Sequence, residues 1–561
     1  MATTNVEVRS TLSLIESTRL PHPSGPLLES FVFEALNPVQ AARYVKQRLL
    51  LGEASSLVAD WSYIVECISQ NGSRPPQLSA TEQHAITRRD GGKCCVTGKV
   101  GTLRDPLIVA PILPVPSGWA TDKVGIIDML GAFFGPPYRD WWLSYVRNPG
   151  GMMPYCNHWL VRKSAARAFA SGLVRLDRLH PSMVEYELRE VSIGPEEPIE
   201  IDGVFPLLGD HSRSGIVKVD PRFVGSQARL CKSIQFIAIS KRLSSETLLR
   251  PSSPSISPLA RRPNMALRNH WGLRSLCTGA FLTVWLLVPN KVRIACYKRL
   301  QKLGKLLYGK VDDAAVQRLP FGLYLKYHAE ADSSRNEFNA LKIVRRHTSI
   351  PVPEAVDIVF EQGDTNDPFS CPASYLLLTR VPGLQMWRCV NVLSERNIDR
   401  ITNQLKDYIA QLRDIPQSAK SDMAICNTLG EACRDHRIRG ASPVGPFADE
   451  AAFSKMLRFS DDTARRGHKI MFTHADLNPR NILVDQTVLS DGSLGWSVTG
   501  IVDWETAGYY PEYWDYTKAM FEGFRWLRRY NDMVHEVFSE FGDYFQELDV
   551  ERRSWESGDG V

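Results

Sequence analysis

Between Ile470 and Asp515 the chain concentrates side chains that could carry chemistry. His474, Asp476 and Asn481 stand as His-x-Asp-x4-Asn, the spacing of a loop that serves phosphoryl transfer. In such a loop a carboxylate orients an acceptor hydroxyl and takes its proton. Asp476 is the candidate for that work, with His474 beside it as the second catalytic candidate. Asn481 would offer its amide oxygen to Mg²⁺, and a second ligand must then arrive from another segment. Ile482–Val484 and Gly500–Val502 read as two strands joined through a turn at Ser490-Asp491-Gly492-Ser493. Closing that hairpin returns Asp503 to Asn481, where its carboxylate could bridge phosphate oxygens through the ion. The competing reading makes Asp476 and Asp503 surface loop acids and Asn481 a turn residue.

The run His474-Ala475-Asp476-Leu477-Asn478-Pro479-Arg480-Asn481-Ile482-Leu483, with Ile501-Val502-Asp503-Trp504-Glu505-Thr506-Ala507-Gly508, resembles the aminoglycoside phosphotransferase family, in particular its fungal members. Ser349-Ile350-Pro351-Val352-Pro353, Cys433-Arg434-Asp435-x-Arg437 with Gly445-Pro446-Phe447, and Pro511-x-x-Trp514-Asp515 extend the likeness. The resemblance implies a bilobal, protein-kinase-like α+β fold over residues 291–545, with a small β-rich lobe and a large helical lobe. It also implies ATP and Mg²⁺ as cofactors, Asp476 as base, Asn481 and Asp503 as metal ligands, and a small-molecule or protein hydroxyl as acceptor.

Such a fold needs a strand lysine for the nucleotide phosphates and a helix glutamate to hold that lysine. Lys326 ends the apolar run Phe321–Leu325, and Glu337 opens a helical pattern with Ala340, Leu341 and Val344. An ordinary surface lysine and glutamate is the alternative. No G-x-G-x-x-G precedes Lys326, and only Gly309 and Gly322 lie near it. This lack favours the rival reading of a pseudokinase-like interaction protein, which the intact Asp476, Asn481 and Asp503 oppose. Tyr375–Val381 sits where a strand would lead to the hinge, so Leu378 and Val381 are candidates for holding the nucleotide base. Trp504 and Glu505 read as shaping their loop, and the aromatic residues after Tyr509 as helical core.

The elements that must position these groups follow from periodicity. Lys291–Tyr308 places Val292, Ala295, Tyr297, Leu300, Leu303 and Leu307 at helical spacing with basic residues between. Phe321–Tyr327 and Tyr375–Thr379 read as strands, and helices dominate from Glu395 onward. In the first block, Pro38–Leu51, Leu57–Gln70, Thr81–Arg89 and Asn157–Gly172 read as helices, with a hairpin signal at Asp90–Gly98. Arg89-Asp90-Gly91-Gly92-Lys93-Cys94-Cys95-Val96-Thr97-Gly98 resembles the opening of fungal HNH-type nuclease domains. Pro111 and Ala166 stand where that family carries histidines, although Asn157, Phe169 and Gly172 continue its pattern. The expectation is an N-terminal α+β HNH-like domain that has lost its catalysis. Nucleic-acid binding through it is the second rival function.

The chain has 561 residues, with 43% hydrophobic and 23% charged, which excludes wholesale disorder. Its net charge of +5 is uneven. Residues 241–310 hold 14 Lys+Arg against one Glu, or +13, so the remainder holds 53 against 61, or −8. The first block therefore lacks the basic excess a nucleic-acid partner requires. Pro251–Pro263 is rich in proline and serine and reads as a linker. The expected divisions are 1–240, an HNH-like domain; 241–290, a basic linker and apolar segment; 291–545, the kinase-like domain; and 546–561, a polar tail. Cys277–Val288 has 12 residues, short of the roughly 20 that span a bilayer. A buried element is its main reading, and peripheral membrane contact through 270–308 the weaker one. The polar N-terminus and the 11 scattered cysteines are read as those of a cytoplasmic, reduced protein. Oligomeric state is not legible.

Overall fold

The computed structural model describes residues 2–69, 78–114, 124–147, 153–179, 185–191, 193–195, 206, 208–248, 284–309, 315–328, 331–362, 373–417, 422–438, 442–489, 492–521 and 523–556. Backbone contacts divide the chain into two compact units, Met1–Pro251 and Ser252–Val561. The Pro/Ser stretch at 251–263 and the apolar segment as far as 283 lie outside the described residues.

The first unit is mostly helical. Its helices include α1 (Ser24–Glu34), α2 (Pro38–Leu50), α3 (Ala54–Ser69) and α4 (Ala80–Arg89). The starts are encoded locally. The Asn37 side chain accepts from the Val39 and Gln40 amides ahead of α2, and Ser79 with Glu82 forms a capping box on α4. Phe31 and Phe133 pack against Trp61, with ring centroids 4.7 and 4.6 Å away. Strand β1 (Leu107–Pro111) pairs antiparallel with β2 (His158–Arg162), and α5 (Lys163–Ala170) follows. The helix expected over Asn157–Gly172 is thus a strand first and a helix after. The buried run His158–Val161 supplies the bulky residues of a paired strand, while the alanines come only after it. Asn157 braces this turn, with its amide nitrogen donating to the Leu113 carbonyl and the Tyr145 hydroxyl. A hairpin, β3 (Val174–Arg178) with β4 (Tyr186–Glu190), and the long helix α6 (Pro221–Leu248) complete the unit.

The second unit opens with α7 (Asn290–Tyr308). A four-stranded antiparallel sheet follows, built from β5 (Val316–Leu319), β6 (Leu323–His328), β7 (Ala355–Glu361) and β8 (Ala373–Thr379) in the order β5-β6-β8-β7. Helix α8 (Ala331–His347) interrupts the sheet and buries Ser333, Asn336, Glu337, Ala340, Leu341 and Val344, a helical stripe facing it. Arg345, Arg346 and His347 close that helix where its dipole favours cations. Helix α7 is tied to β7 by Asp357, which accepts from Arg293 at 2.5 Å and from the Tyr297 hydroxyl at 2.5 Å.

The remainder, expected as a mainly helical lobe with one hairpin, holds that hairpin and further short strands. It carries β9 (Leu384–Gln385), β10 (Cys426–Asn427), β11 (Ile470–Thr473), β12 (Ile482–Val488), β13 (Leu494–Ile501) and β14 (Gly508–Pro511) in two sheets, β13-β12-β9 and β10-β14-β11. Around them pack α9 (Glu395–Arg413), α10 (Trp514–Phe521), α11 (Arg528–Ser539) and α12 (Phe545–Glu556). The last is a correction. Residues expected to form a polar tail are, up to Glu556, a helix that buries Leu548, Val550, Glu551 and Ser554. Its charges read as solvated because their partners lie far away in sequence. Glu551 accepts from Arg437 at 2.9 Å and from Arg465 at 3.3 Å, and Asp435 holds Arg437 at 2.9 Å. All four side chains are closed off from solvent.

Candidate functional site

The loop from β11 to β12 carries His474, Asp476 and Asn481, and the hairpin β12–β13 brings back Asp503 as expected. Strand β12 pairs with β13 from Ile482↔Ile501 to Val488↔Leu494, and the Val502 amide donates to the Asn481 carbonyl at 2.9 Å. The tip of the predicted turn, Ser490 and Asp491, lies outside the described residues. Two non-glycine residues here take left-handed backbone angles, Ala475 at φ 59° and Asp503 at φ 70°. Such conformations cost free energy and persist only where surrounding contacts impose them. At Ala475 the contacts are visible. One Asp515 oxygen accepts from its amide at 2.7 Å, and the other accepts from the His474 amide at 3.2 Å.

His474 is buried and both of its ring nitrogens are engaged. Nδ1 accepts from the Asp476 amide at 3.2 Å, so Nε2 carries the proton and donates to the Val502 carbonyl at 3.0 Å. The imidazole thus staples the Asp476 loop to the Asp503 strand. Asp476 is held by amide donors on its own loop, Asn481 Nδ2 at 3.0 Å and Asn478 Nδ2 at 3.1 Å. Burial raises the Asp476 carboxyl above its ordinary range, although Lys518 on α10, 3.6 Å away, works against that rise.

Lys326 on β6 comes to the same place from the other end of the unit. Its ammonium donates to Glu337 on α8 at 2.7 Å and to Asp503 at 2.5 Å, with Glu505 at 3.8 Å. Burial works to lower the Lys326 ammonium, but the charges of Asp503 and Glu337 outweigh it and raise the group well above its ordinary range. Burial would likewise raise Asp503, yet Lys326 keeps that carboxyl below its usual range. Glu505 takes the opposite course: burial first, then the neighbouring Asp503, push it up to about 8.

Three carboxyl groups around one ammonium crowd acidic oxygens at this point, and the rise of Glu505 is the response to that crowding. The donor atoms of His328, Glu337 and Glu505 also lie within 4.8 Å of one another. Oxygen donors in excess of fixed cations suit a hard divalent ion. Asn481 fits such a set, because its amide nitrogen is already committed to Asp476 and its amide oxygen remains the group to offer.

The nucleotide-base candidates lie at the end of β8 and beyond it. Leu378 is buried opposite Tyr324, while Val381 packs against Gly500, where an added Cβ would stand 2.4 Å from its Cγ1. In place of a glycine-rich loop, the β5–β6 connection is the tight turn Pro320–Gly322, with Phe321 exposed at its tip.

Four participants carried no assigned role in the sequence. Asp515 fixes the loop backbone, and Asn336 on α8 donates to the Glu505 and Ala507 carbonyls at 2.8 Å each. Lys518 stands 3.6 Å from both Asp435 and Asp476. His328 lies 3.3 Å from Glu505. Only Asp515 had a signal, its place in the Pro-x-x-Trp-Asp run.

No curated protein matches this chain. Among solved structures, a thermostable mutant of aminoglycoside phosphotransferase APH(4)-Ia, in ternary complex with ADP and hygromycin B, is 16% identical over 46% of this chain and 92% of that one, with a TM-score of 0.28. The GDP and kanamycin complex of APH(2")-IIIa is 15% identical over 45% and 86%, with a TM-score of 0.30. The family comparison is specific to the unit that holds the site: residues 313–547 match the phosphotransferase enzyme family, APH.

Proposed function

We propose that the second unit is an ATP- and Mg²⁺-dependent phosphotransferase that moves the γ-phosphate to the hydroxyl of a small-molecule acceptor. The observation that carries this reading is the convergence of Lys326, from β6, on Glu337 and Asp503, with Asp476 and Asn481 on the adjoining loop. Lys326 binds the nucleotide phosphates and Glu337 holds it in place. Asn481 and Asp503 would hold Mg²⁺, which when bound neutralises charge on the phosphate oxygens. Asp476 orients the acceptor hydroxyl and receives its proton, and its raised affinity for protons suits a base. His474 positions Asp476 and is not itself a reacting group. Leu378 and Val381 flank the nucleotide base. For the first unit we propose a frame without nuclease chemistry. What supports this is that Pro111 and Ala166, on β1 and α5, offer no imidazole for a metal.

The test is an ADP-release screen of the full chain over a panel of hydroxyl-bearing metabolites, with Asp476→Asn as control. The variant should retain the thermal shift induced by MgATP and lose about 10²–10⁴ in turnover. Unchanged turnover would remove Asp476 as the base. Nucleotide binding without ADP release on any acceptor would favour the interaction-protein reading.

A further inference from the structure

Helix α7 buries Arg293, Ile294, Tyr297 and Gly304 against the small sheet and turns a different surface outward. Its packed side is fixed tightly. The Arg293 and Tyr297 side chains both donate to Asp357, and a Cβ on Gly304 would stand 2.3 Å from the Arg318 carbonyl oxygen. The helix cannot roll to hide what it exposes. At 3.6 residues per turn, Val292, Leu303, Leu306 and Leu307 fall on one outward stripe, about a third of the circumference, with the exposed Arg299 among them. Leu306 is 82% exposed and Leu307 is 56% exposed, and Leu287, just before the helix, is 80% exposed. Lys291, Lys298, Lys302 and Lys305 line one margin of that stripe, all exposed, with Lys298 also reaching Glu361 at 2.6 Å. Residues 284–308 contain six Lys and Arg and no Asp or Glu.

We infer that this face of α7 is a docking surface for an anionic lipid bilayer. A mainly apolar stripe bordered by lysines, with the long stem of Arg299 free to reach out of it, on a helix too polar to span, is the arrangement of a helix lying in the membrane interface. The leucines enter the acyl boundary while the lysine stems reach back to the headgroups. The charge of the segment complements an anionic surface, and a bilayer accepts an apolar stripe without requiring a shaped groove. No helix among the described residues is long and apolar enough to cross a membrane, so the contact is a peripheral one. It orients the attached small sheet toward the lipid and does not depend on which reaction the site performs.

The experiment is co-sedimentation of the full-length protein with phosphatidylcholine vesicles, with and without phosphatidylserine, over a range of salt. Binding should require phosphatidylserine, weaken as salt rises, and fall about a hundredfold in Lys291→Gln/Lys302→Gln/Lys305→Gln, at roughly fivefold per lysine. Leu306→Ser/Leu307→Ser should abolish it with the thermal transition unchanged. No sedimentation at low salt would overturn the proposal, as would binding indifferent to both variants. A shift in solution mass caused by the leucine variant, without vesicle binding, would reassign the face to contact between copies of the chain and overturn it equally.

Discussion

Replacing Glu551 with leucine should destabilise the second unit more than any surface substitution, although the residue lies in a segment that reads as a tail. Glu551 is buried beside Arg437 and Arg465, at 2.9 and 3.3 Å. The cluster balances three cations, Arg437, Arg465 and Lys518, against three anions, Asp435, Asp476 and Glu551. Leucine removes one anion and leaves an uncompensated positive charge where water cannot reach it. Breaking a buried pair in this way costs about 3–5 kcal/mol. For a unit of this size that corresponds to a fall in melting temperature on the order of 10 °C. Because the chain has two units, the relevant transition is the one that MgATP raises, followed by calorimetry or by fluorescence. Glu551→Gln retains an acceptor of the same shape and should lose less than the leucine variant. The network also reaches the proposed base through Lys518, so turnover should fall in Glu551→Leu even at temperatures where the unit stays folded. A loss under about 1 kcal/mol in Glu551→Leu would refute the argument, since exposed pairs contribute no more than that.

Asp503→Asn should abolish the metal-dependent part of nucleotide stabilisation, which at a hundredfold excess over Kd is about 2.7 kcal/mol; equal thermal shifts in wild type and variant would contradict the metal assignment. His468 bonds Glu450 at 2.6 Å and Glu547 at 3.1 Å; burial opposes its protonation, but the two carboxylates win and raise its pKa. That raised folded value means its contribution is fully present below the unfolded value near 6.5 and is lost as pH rises through the folded one. Urea midpoints of wild type and His468→Gln should therefore differ most in mild acid and converge in alkali. Gly304→Ala should cost about 1–3 kcal/mol by overpacking against the Arg318 carbonyl, despite the better helix propensity of alanine, and amide exchange across β5 would report it.

What the sequence made legible was whatever it encodes over short distances. His474, Asp476 and Asn481 sit on one loop, and the hairpin that returns Asp503 is marked by two apolar runs with a turn between them. Lys326 and Glu337 were legible because a strand and a helix of opposite periodicity carry them 11 residues apart. The misreadings share one cause. Over Asn157–Gly172 the alternation of basic and small residues matches a helix, while pairing with Leu107–Pro111, some 50 residues earlier, makes a strand of its first part. Phe545–Glu556 reads as polar because Arg437 and Arg465, about 100 residues away, are invisible as partners until the chain closes. Lys518 and Asn336 went unassigned for the same reason. Each acts on a loop more than 40 residues distant.

The division between legible and hidden residues follows a division of labour within the site. The groups proposed to meet nucleotide and acceptor are set by local spacing, because a loop and a hairpin fix their mutual geometry. The groups that hold that geometry come from remote elements: Asp515 from α10 on the strained backbone at Ala475, Asn336 from α8 on the Asp503 loop, and Glu551 from α12 behind Lys518. Left-handed angles at Ala475 and Asp503 cost free energy that the loop could not meet alone. The mutual placement of Asp476 and Asp503 therefore rests on contacts from α8, α10 and α12 as well as on the loop and hairpin that carry them. A truncation before Phe545 would keep every motif residue and lose the arrangement that lets them act together.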